Sequence, residues 1–212
     1  MRILVVVPIS GLSKPQLEER VEYLRSIARE GTLIDYIQLV DAPPAIECPV
    51  DHARASVEVV KAVETLDQDS FDAVIVWCGG DPGVEEARTI LDKPVVGPGE
   101  AMRALAHLLG KRVAGIHHPL PVLQLREDVE KTLRLTEEAI KQKALEGYDS
   151  FYLDCLGMFG MGATLRERTG FMVLDGGEAS LRVAEMLVDL GVKPNRIAYP
   201  KYPPPHRIHG AR

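Results

Sequence analysis

The chain has 212 residues, 46% apolar and 26% charged, which suits a globular protein with one α/β domain or two small ones. A net charge of −6 argues against nucleic acid as the main partner, because that binding leans on a Lys/Arg-rich face. No apolar run approaches the roughly 18 residues that a membrane helix needs, so no membrane partner is expected.

Arg2 to Val7 is an apolar, β-branched run without polar alternation, the pattern of a strand covered on both faces. It is read as a strand and not as a signal peptide, since no small-residue cleavage site follows. Pro15 opens a helix with Leu17, Val21 and Leu24 at helical spacing and Gly31 as a stop. Thr32 to Val40 is a second strand. The segment Asp41-Ala42-Pro43-Pro44-Ala45-Ile46-Glu47-Cys48-Pro49 is a loop, because proline keeps it out of regular structure. Asp51 is placed to cap the next helix, which runs to about Leu66.

Phe71 to Trp77 reads as one buried strand, followed at once by Cys78-Gly79-Gly80-Asp81-Pro82-Gly83. Asp81-Pro82 suits an N-cap with proline at the first helical position. Pro94 to Gly97 is a short strand, Glu100 to Leu109 a helix, and Lys111 to Ile116 a strand ending in His117-His118-Pro119. Helical sequence fills Leu123 to Glu146, with a break near Asp128. Tyr148 to Leu153 is again a strand, running into Asp154-Cys155-Leu156-Gly157-Met158. A short helix over Ala163–Arg168, a strand over Phe171–Leu174 and a helix over Gly177–Leu190 follow. The tail from Val192 holds five prolines and two histidines, and is expected to lie on the surface or on a neighbouring subunit.

Strand and helix therefore alternate as βαβαβα, twice. That pattern predicts an α/β fold of two pseudo-symmetric Rossmann-like lobes, with parallel sheets and a cleft between them. Residues 1–97 with 176–212 are assigned to the first lobe and 98–175 to the second, the last helix returning to the first. Ligands of such sheets bind at the carboxyl ends of the strands, where Val7, Cys78, Ile116 and Cys155 fall.

Two thiols at matching strand ends suggest a pair that works on one molecule from two sides. The thiolate is the reactive form, and a helix amino terminus lowers its pKa. Glycine lets backbone N–H groups approach an anion closely, so Gly79, Gly80, Leu156 and Gly157 are candidates to hold an oxyanion. One thiolate and one thiol on opposite faces of a carbon α to a carbonyl would invert it without metal or organic cofactor. The plain alternative is structural, since cysteine is among the most buried residue types. A redox pair lacks the Cys-x-x-Cys spacing. A zinc set of Cys48, Cys78, His117 and His118 lacks the usual short ligand spacing. Three cysteines make no disulfide framework, and free thiols suit a reducing, cytoplasmic setting.

The stretch from Val76 to Arg88, with Cys78 ahead of Gly80-Asp81-Pro82-Gly83 and with Ala87-Arg88, resembles the first signature of hydantoin racemases, within the aspartate/glutamate racemase superfamily. Pro94-Val95-Val96-Gly97 with Glu100-Ala101 continues the match. Asp154-Cys155-Leu156-Gly157-Met158 resembles that family's second cysteine motif, and Pro43-Pro44-Ala45-Ile46-Glu47 its Gly-Pro-x-Ser-Ile-Glu loop. The resemblance implies a cofactor-independent racemase or epimerase of two α/β lobes. In it Cys78 and Cys155 would be the acid/base pair and the substrate an anionic or imide small molecule, a 5-substituted hydantoin or amino-acid-like compound. The chain departs from the family at Val7-Pro8-Ile9-Ser10, where asparagines are missing. It departs again at His117-His118, which replace a Thr pair, and at Asp154 and Leu156, which replace Gly and Ala.

Ser10 is a candidate to hydrogen-bond substrate or to serve as a turn residue. His117 and His118 are candidates for substrate contact. Asp81 reads as a helix cap, Cys48 as incidental, Glu47 as closing the cleft or simply solvated, and Met158, Phe159 and Met161 as core filler. Rival readings keep the thiols for isomerisation or decarboxylation of a small dicarboxylate, or make the cleft a non-catalytic metabolite-binding module. A homo-oligomer is expected from the Pro-rich tail.

Overall fold

Continuous apolar runs become strands here because helices cover both faces of each sheet. In the computed structural model, which describes residues 1–203, Arg2–Val7 (β1) buries all but its first residue. β1 pairs in parallel with Leu33–Gln38 (β2) and Ala73–Val76 (β3), and β3 pairs with Val95–Val96 (β4), giving the order β2-β1-β3-β4. Val113–Ile116 (β5), Ser150–Leu153 (β6) and Met172–Asp175 (β7) form a second parallel sheet in the order β5-β6-β7. The two sheets are thus unequal, four strands against three. Even so, β3 and β6 occupy matching places: each leads into a cysteine and each has a partner strand on both sides.

The helices are Lys14–Ile27 (α1), Pro49–Glu64 (α2), Val84–Ile90 (α3), Pro98–Leu109 (α4), Val129–Leu145 (α5), Gly162–Thr169 (α6) and Gly176–Asp189 (α7). α4 follows the first sheet in sequence but packs on β5, β6 and β7. α7 follows the second sheet but packs on β3, β4 and α1. The two exchanged helices cross each other at the junction. Small residues are prominent among their buried positions, Gly99, Ala101 and Ala106 on α4 and Gly176, Gly177, Ala179 and Ala184 on α7. Gly176 is packed so closely that an added Cβ would sit 2.9 Å from a Leu156 methyl.

One buried charge ties this junction to the first sheet. Glu185 of α7 is only 1% exposed; its carboxylate accepts from the Arg29 N–H and the Thr32 hydroxyl and pairs with Arg29 and Arg182. Burial alone would raise its pKa, but these partners together hold it below the ordinary carboxylate value.

Two local expectations are corrected and a third is sharpened. Asp81 does not cap the helix it precedes: α3 starts at Val84 after Gly83, whose left-handed φ of 71° closes the turn. Asp81, itself at φ 55°, sends its carboxylate to the start of α4, accepting from the Gly99 and Glu100 N–H groups at 2.7 Å each. Cys48, not Asp51, is the residue before α2, and Asp51 reaches back from inside the helix to the Glu47 N–H at 3.3 Å. The break near Asp128 is complete: Asp128 is the N-cap of α5, accepting from the Lys131 N–H at 2.9 Å.

The tail lies on the chain's own surface as far as it is described. Arg196 and Lys201 both pair with Asp92, and the Tyr202 N–H donates to the Thr89 carbonyl. Its last stretch, residues 204–212, lies outside the described residues. Among those described, no helix is long and apolar enough to cross a membrane.

Candidate active site

β3 and β6 both run out at a cysteine, and the chain turns in the same way after each. The Cys78 carbonyl accepts from the Asp81 N–H at 3.1 Å, and the Cys155 carbonyl from the Met158 N–H at 3.0 Å. Each turn aims the N–H two residues on at the sulfur. The Gly157 N–H donates to Cys155 Sγ at 3.4 Å, and the Gly80 N–H acts on the Cys78 sulfur in the same sense. Two strand–thiol–turn units of one geometry therefore face each other from two sheets.

They meet backbone to backbone. A Cβ placed on Gly79 would fall 1.8 Å from the Asp154 carbonyl oxygen, so only glycine fits there. Gly99 seals the back of this contact, with the Gly79 carbonyl oxygen 2.1 Å from where its Cβ would be. Asp81, by capping α4, fixes the Cys78 turn to the helix that packs on the other sheet.

Between the turns lies a cavity of about 170 Å³. Both cysteines line it, with Gly79, Gly80, Asp154, Leu156 and Gly157 from the two turns and His117 and His118 from the end of β5. Ile9, Ile46, Trp77 and Val122 add apolar wall. This is smaller than the roughly 300 Å³ at the low end of drug-sized pockets, so it suits one small molecule. The loop of Glu47 reaches across it: Glu47 Oε1 accepts from the Val122 N–H at 3.1 Å. The Gly79 N–H has no backbone carbonyl partner among the described residues, which leaves it free to bind an anion, while the Gly80 N–H is turned to the Cys78 sulfur.

Ser10 is not brought into this cavity. Its hydroxyl donates to the Ala42 carbonyl at 2.7 Å and its N–H to the Pro43 carbonyl, pinning the end of β1 to the proline loop. Cys48 is exposed, with its thiol donating to Asp51 Oδ2 at 3.3 Å, and it is not part of the lining. Met158 and Met161 are buried in the core of the second sheet.

Three of the residues that depart from the resembled family, His117, His118 and Asp154, line the cavity together. His117 Nδ1 lies 2.6 Å from Asp154 Oδ2, with the His117 ring 90% exposed. His118 Nδ1–H donates to the Leu120 carbonyl at 2.6 Å. Burial raises the Asp154 pKa, and the two histidines oppose that rise.

The thiols themselves overturn the expectation of a lowered pKa. Burial pushes Cys78 up to about 12 and Cys155 up to about 11. The N–H groups of Gly80 and Gly157 pull the other way, and the charge of Asp154 adds to the rise at both. The Cys78 thiol also feels the charge of the Cys155 sulfur. Proximity to a helix start is outweighed because α3 begins only at Val84, several residues past the thiol. Both site thiols are therefore neutral at rest, and their thiolate fraction grows about tenfold per pH unit below these values. Iodoacetamide should label exposed Cys48 first at pH 7.5 and the two site cysteines only slowly. Asp154→Asn removes the added negative charge, so both site thiols should label severalfold faster at pH 8.5, read by peptide mass spectrometry. Unchanged rates would mean that Asp154 does not act on the sulfurs.

One lining residue gave no motif. Arg20 lines the cavity from α1 and is only 5% exposed. Its sequence signal was its spacing, since position 20 falls on the same helical face as Leu17, Val21 and Leu24.

A family model described as Asp/Glu/Hydantoin racemase matches residues 3–116. The chain belongs to the Asp/Glu/hydantoin racemase family. It is 32% identical to a hydantoin racemase of Paenarthrobacter aurescens, over 92% of this chain and 94% of that protein. Among solved structures it is similar to an allantoin racemase of Klebsiella pneumoniae, with a TM-score of 0.85 and 25% identity over 95% of this chain and 94% of that one. An allantoin racemase of Pseudomonas fluorescens superposes with a TM-score of 0.84 and 28% identity, over 96% of this chain and 98% of that one. Membership makes the chain an isomerase of the racemase type and bears out the two-sheet α/β fold. The family model covers the Cys78 turn and ends at Ile116, while the full-length relatives extend across the Cys155 turn.

Proposed function

We propose that this racemase inverts the carbon next to a carbonyl in a small cyclic ureide, a 5-substituted hydantoin, with Cys78 and Cys155 as the acid/base pair. The observation that carries the reading is the shared cavity: two thiols in equivalent turns line one space sized for a single small ring. The hydantoin and allantoin racemases similar to this chain support the substrate class, because allantoin is itself a hydantoin substituted at C5.

In this mechanism one cysteine, as thiolate, takes the C5 proton: the C–H bond breaks and an S–H bond forms. The electron pair moves into the adjacent carbonyl, and the enolate oxygen is held by the free N–H of Gly79. The other thiol then gives its proton to C5 from the opposite face. The product is the mirror image, and the two sulfurs have exchanged protonation states, ready for the reverse reaction.

The test is a screen of enantiopure 5-alkyl hydantoins in deuterium oxide by loss of optical rotation. The expected result is decaying rotation, with one deuteron at C5 of the inverted product. Stable rotation for every hydantoin, with carbon dioxide released from a disubstituted malonate, would replace this reading with a decarboxylase.

A further inference from the structure

We propose that Arg20 anchors a carboxylate on the C5 substituent of the substrate, at the Cys155 end of the cavity. The inference rests on the two-thiol racemase reading and narrows its substrate class. Arg20 is 5% exposed, yet among the described residues its guanidinium has no carboxylate within 4.0 Å. Its side chain donates once, from Nη1 to the Gln16 carbonyl of its own helix at 2.6 Å. The neighbouring acid, Glu19, is taken by Arg126. Phe159 offers only a ring face, 5.3 Å from the Arg20 guanidinium carbon.

A buried guanidinium that keeps its charge without a counter-ion is costly to a fold, unless a ligand completes it. Arg20 lines the same cavity as the thiols, so the missing partner is a group that enters there. The acid already in the lining, Asp154, is engaged by His117 and does not pair with Arg20. Phe159, four residues past Cys155, lies against Arg20, which puts the guanidinium at that end. The fork of N–H donors that Gln16 leaves free matches the two oxygens of a carboxylate. A hydantoin ring clasped between the sulfurs would direct its C5 substituent toward a wall, and a carboxylate at the tip of a short substituent would meet Arg20.

The experiment compares 5-(carboxymethyl)hydantoin with its neutral isostere, 5-(carbamoylmethyl)hydantoin, by calorimetry and by chiral chromatography of turnover. The wild-type protein should bind the carboxylate about 10- to 100-fold more tightly, the effect of hydrogen bonds to a charged group. Arg20→Gln should erase that preference through KM, with any change in kcat or pH profile shared by both compounds; Arg20→Lys should restore part of the preference. Equal wild-type affinities would overturn the proposal, and this readout stands even if Arg20→Gln does not fold. So would an Arg20→Gln variant that loses kcat equally on both compounds but keeps the wild-type preference in binding, because Arg20 would then act only on the Cys155 thiol. Binding with preference but no turnover would leave the anion site intact and sink the racemase reading instead.

Discussion

Replacing either Cys78 or Cys155 by serine should lower racemisation of a 5-substituted hydantoin by about 10²- to 10⁴-fold, the usual worth of a positioned acid or base. A serine hydroxyl matches the sulfur's place but ionises far too weakly to exchange protons with C5. The two variants should also fail differently. Each keeps one sulfur, which can still remove the proton on its own side and return a deuteron there without inversion. In deuterium oxide, one variant should therefore exchange the C5 hydrogen of one enantiomer and the second variant that of the other, with rotation preserved. Circular dichroism should match the wild-type protein, since serine nearly keeps the side chain's volume and both cysteines sit in turns after the strands. Wild-type rates in either variant, or exchange without enantiomer preference, would remove the two-thiol mechanism.

What could be read from the chain follows from how local each feature is. The strands were legible because parallel strands covered on both faces are written as uninterrupted apolar runs, as in Ile3 to Val7 and Ala73 to Trp77. The thiols were legible because each closes such a run and precedes glycine. What depended on the other sheet was not. Asp81 looked like the cap of its own helix, but its carboxylate serves Gly99 and Glu100, far along the chain. Arg20 stood in a run of charged residues with no motif to mark it; Phe159, far away in sequence, faces its guanidinium. Ser10 was open to substrate or to a turn, and the proline loop claims its hydroxyl. The direction of the thiol pKa values was misjudged for the same reason. A helix start is visible in sequence, whereas the desolvation that pushes both thiols up is produced by the closing of two turns on each other.

That closure is also where a single methyl should do the most harm. In Gly79→Ala the added carbon would fall 1.8 Å from the Asp154 carbonyl oxygen and 2.7 Å from its carbonyl carbon. Real Cβ atoms essentially never come within 3.0 Å, so the turns must part by roughly 1.2 Å or more, the difference between 3.0 and 1.8 Å. The obstacle is backbone, held in place by the strand before it, and it cannot swing aside as a side chain would. Overpacking of this kind costs about 1–3 kcal/mol, or several degrees in melting temperature for a chain of this size. The cost to catalysis should be larger, because a displacement near 1 Å at the reacting groups is worth about 10²-fold in rate. Gly80→Ala supplies the control. Its methyl would meet the edge of the His52 ring at 3.3 Å and the Cys78 sulfur at 3.8 Å, contacts that a small rotation of the His52 side chain relieves. Melting curves and racemisation rates of the two variants, side by side, separate the claims. Gly79→Ala should lose at least ten times more activity than Gly80→Ala, while both chains stay folded. Equal losses would mean that the spacing of the two sulfurs is not set by the contact between their turns.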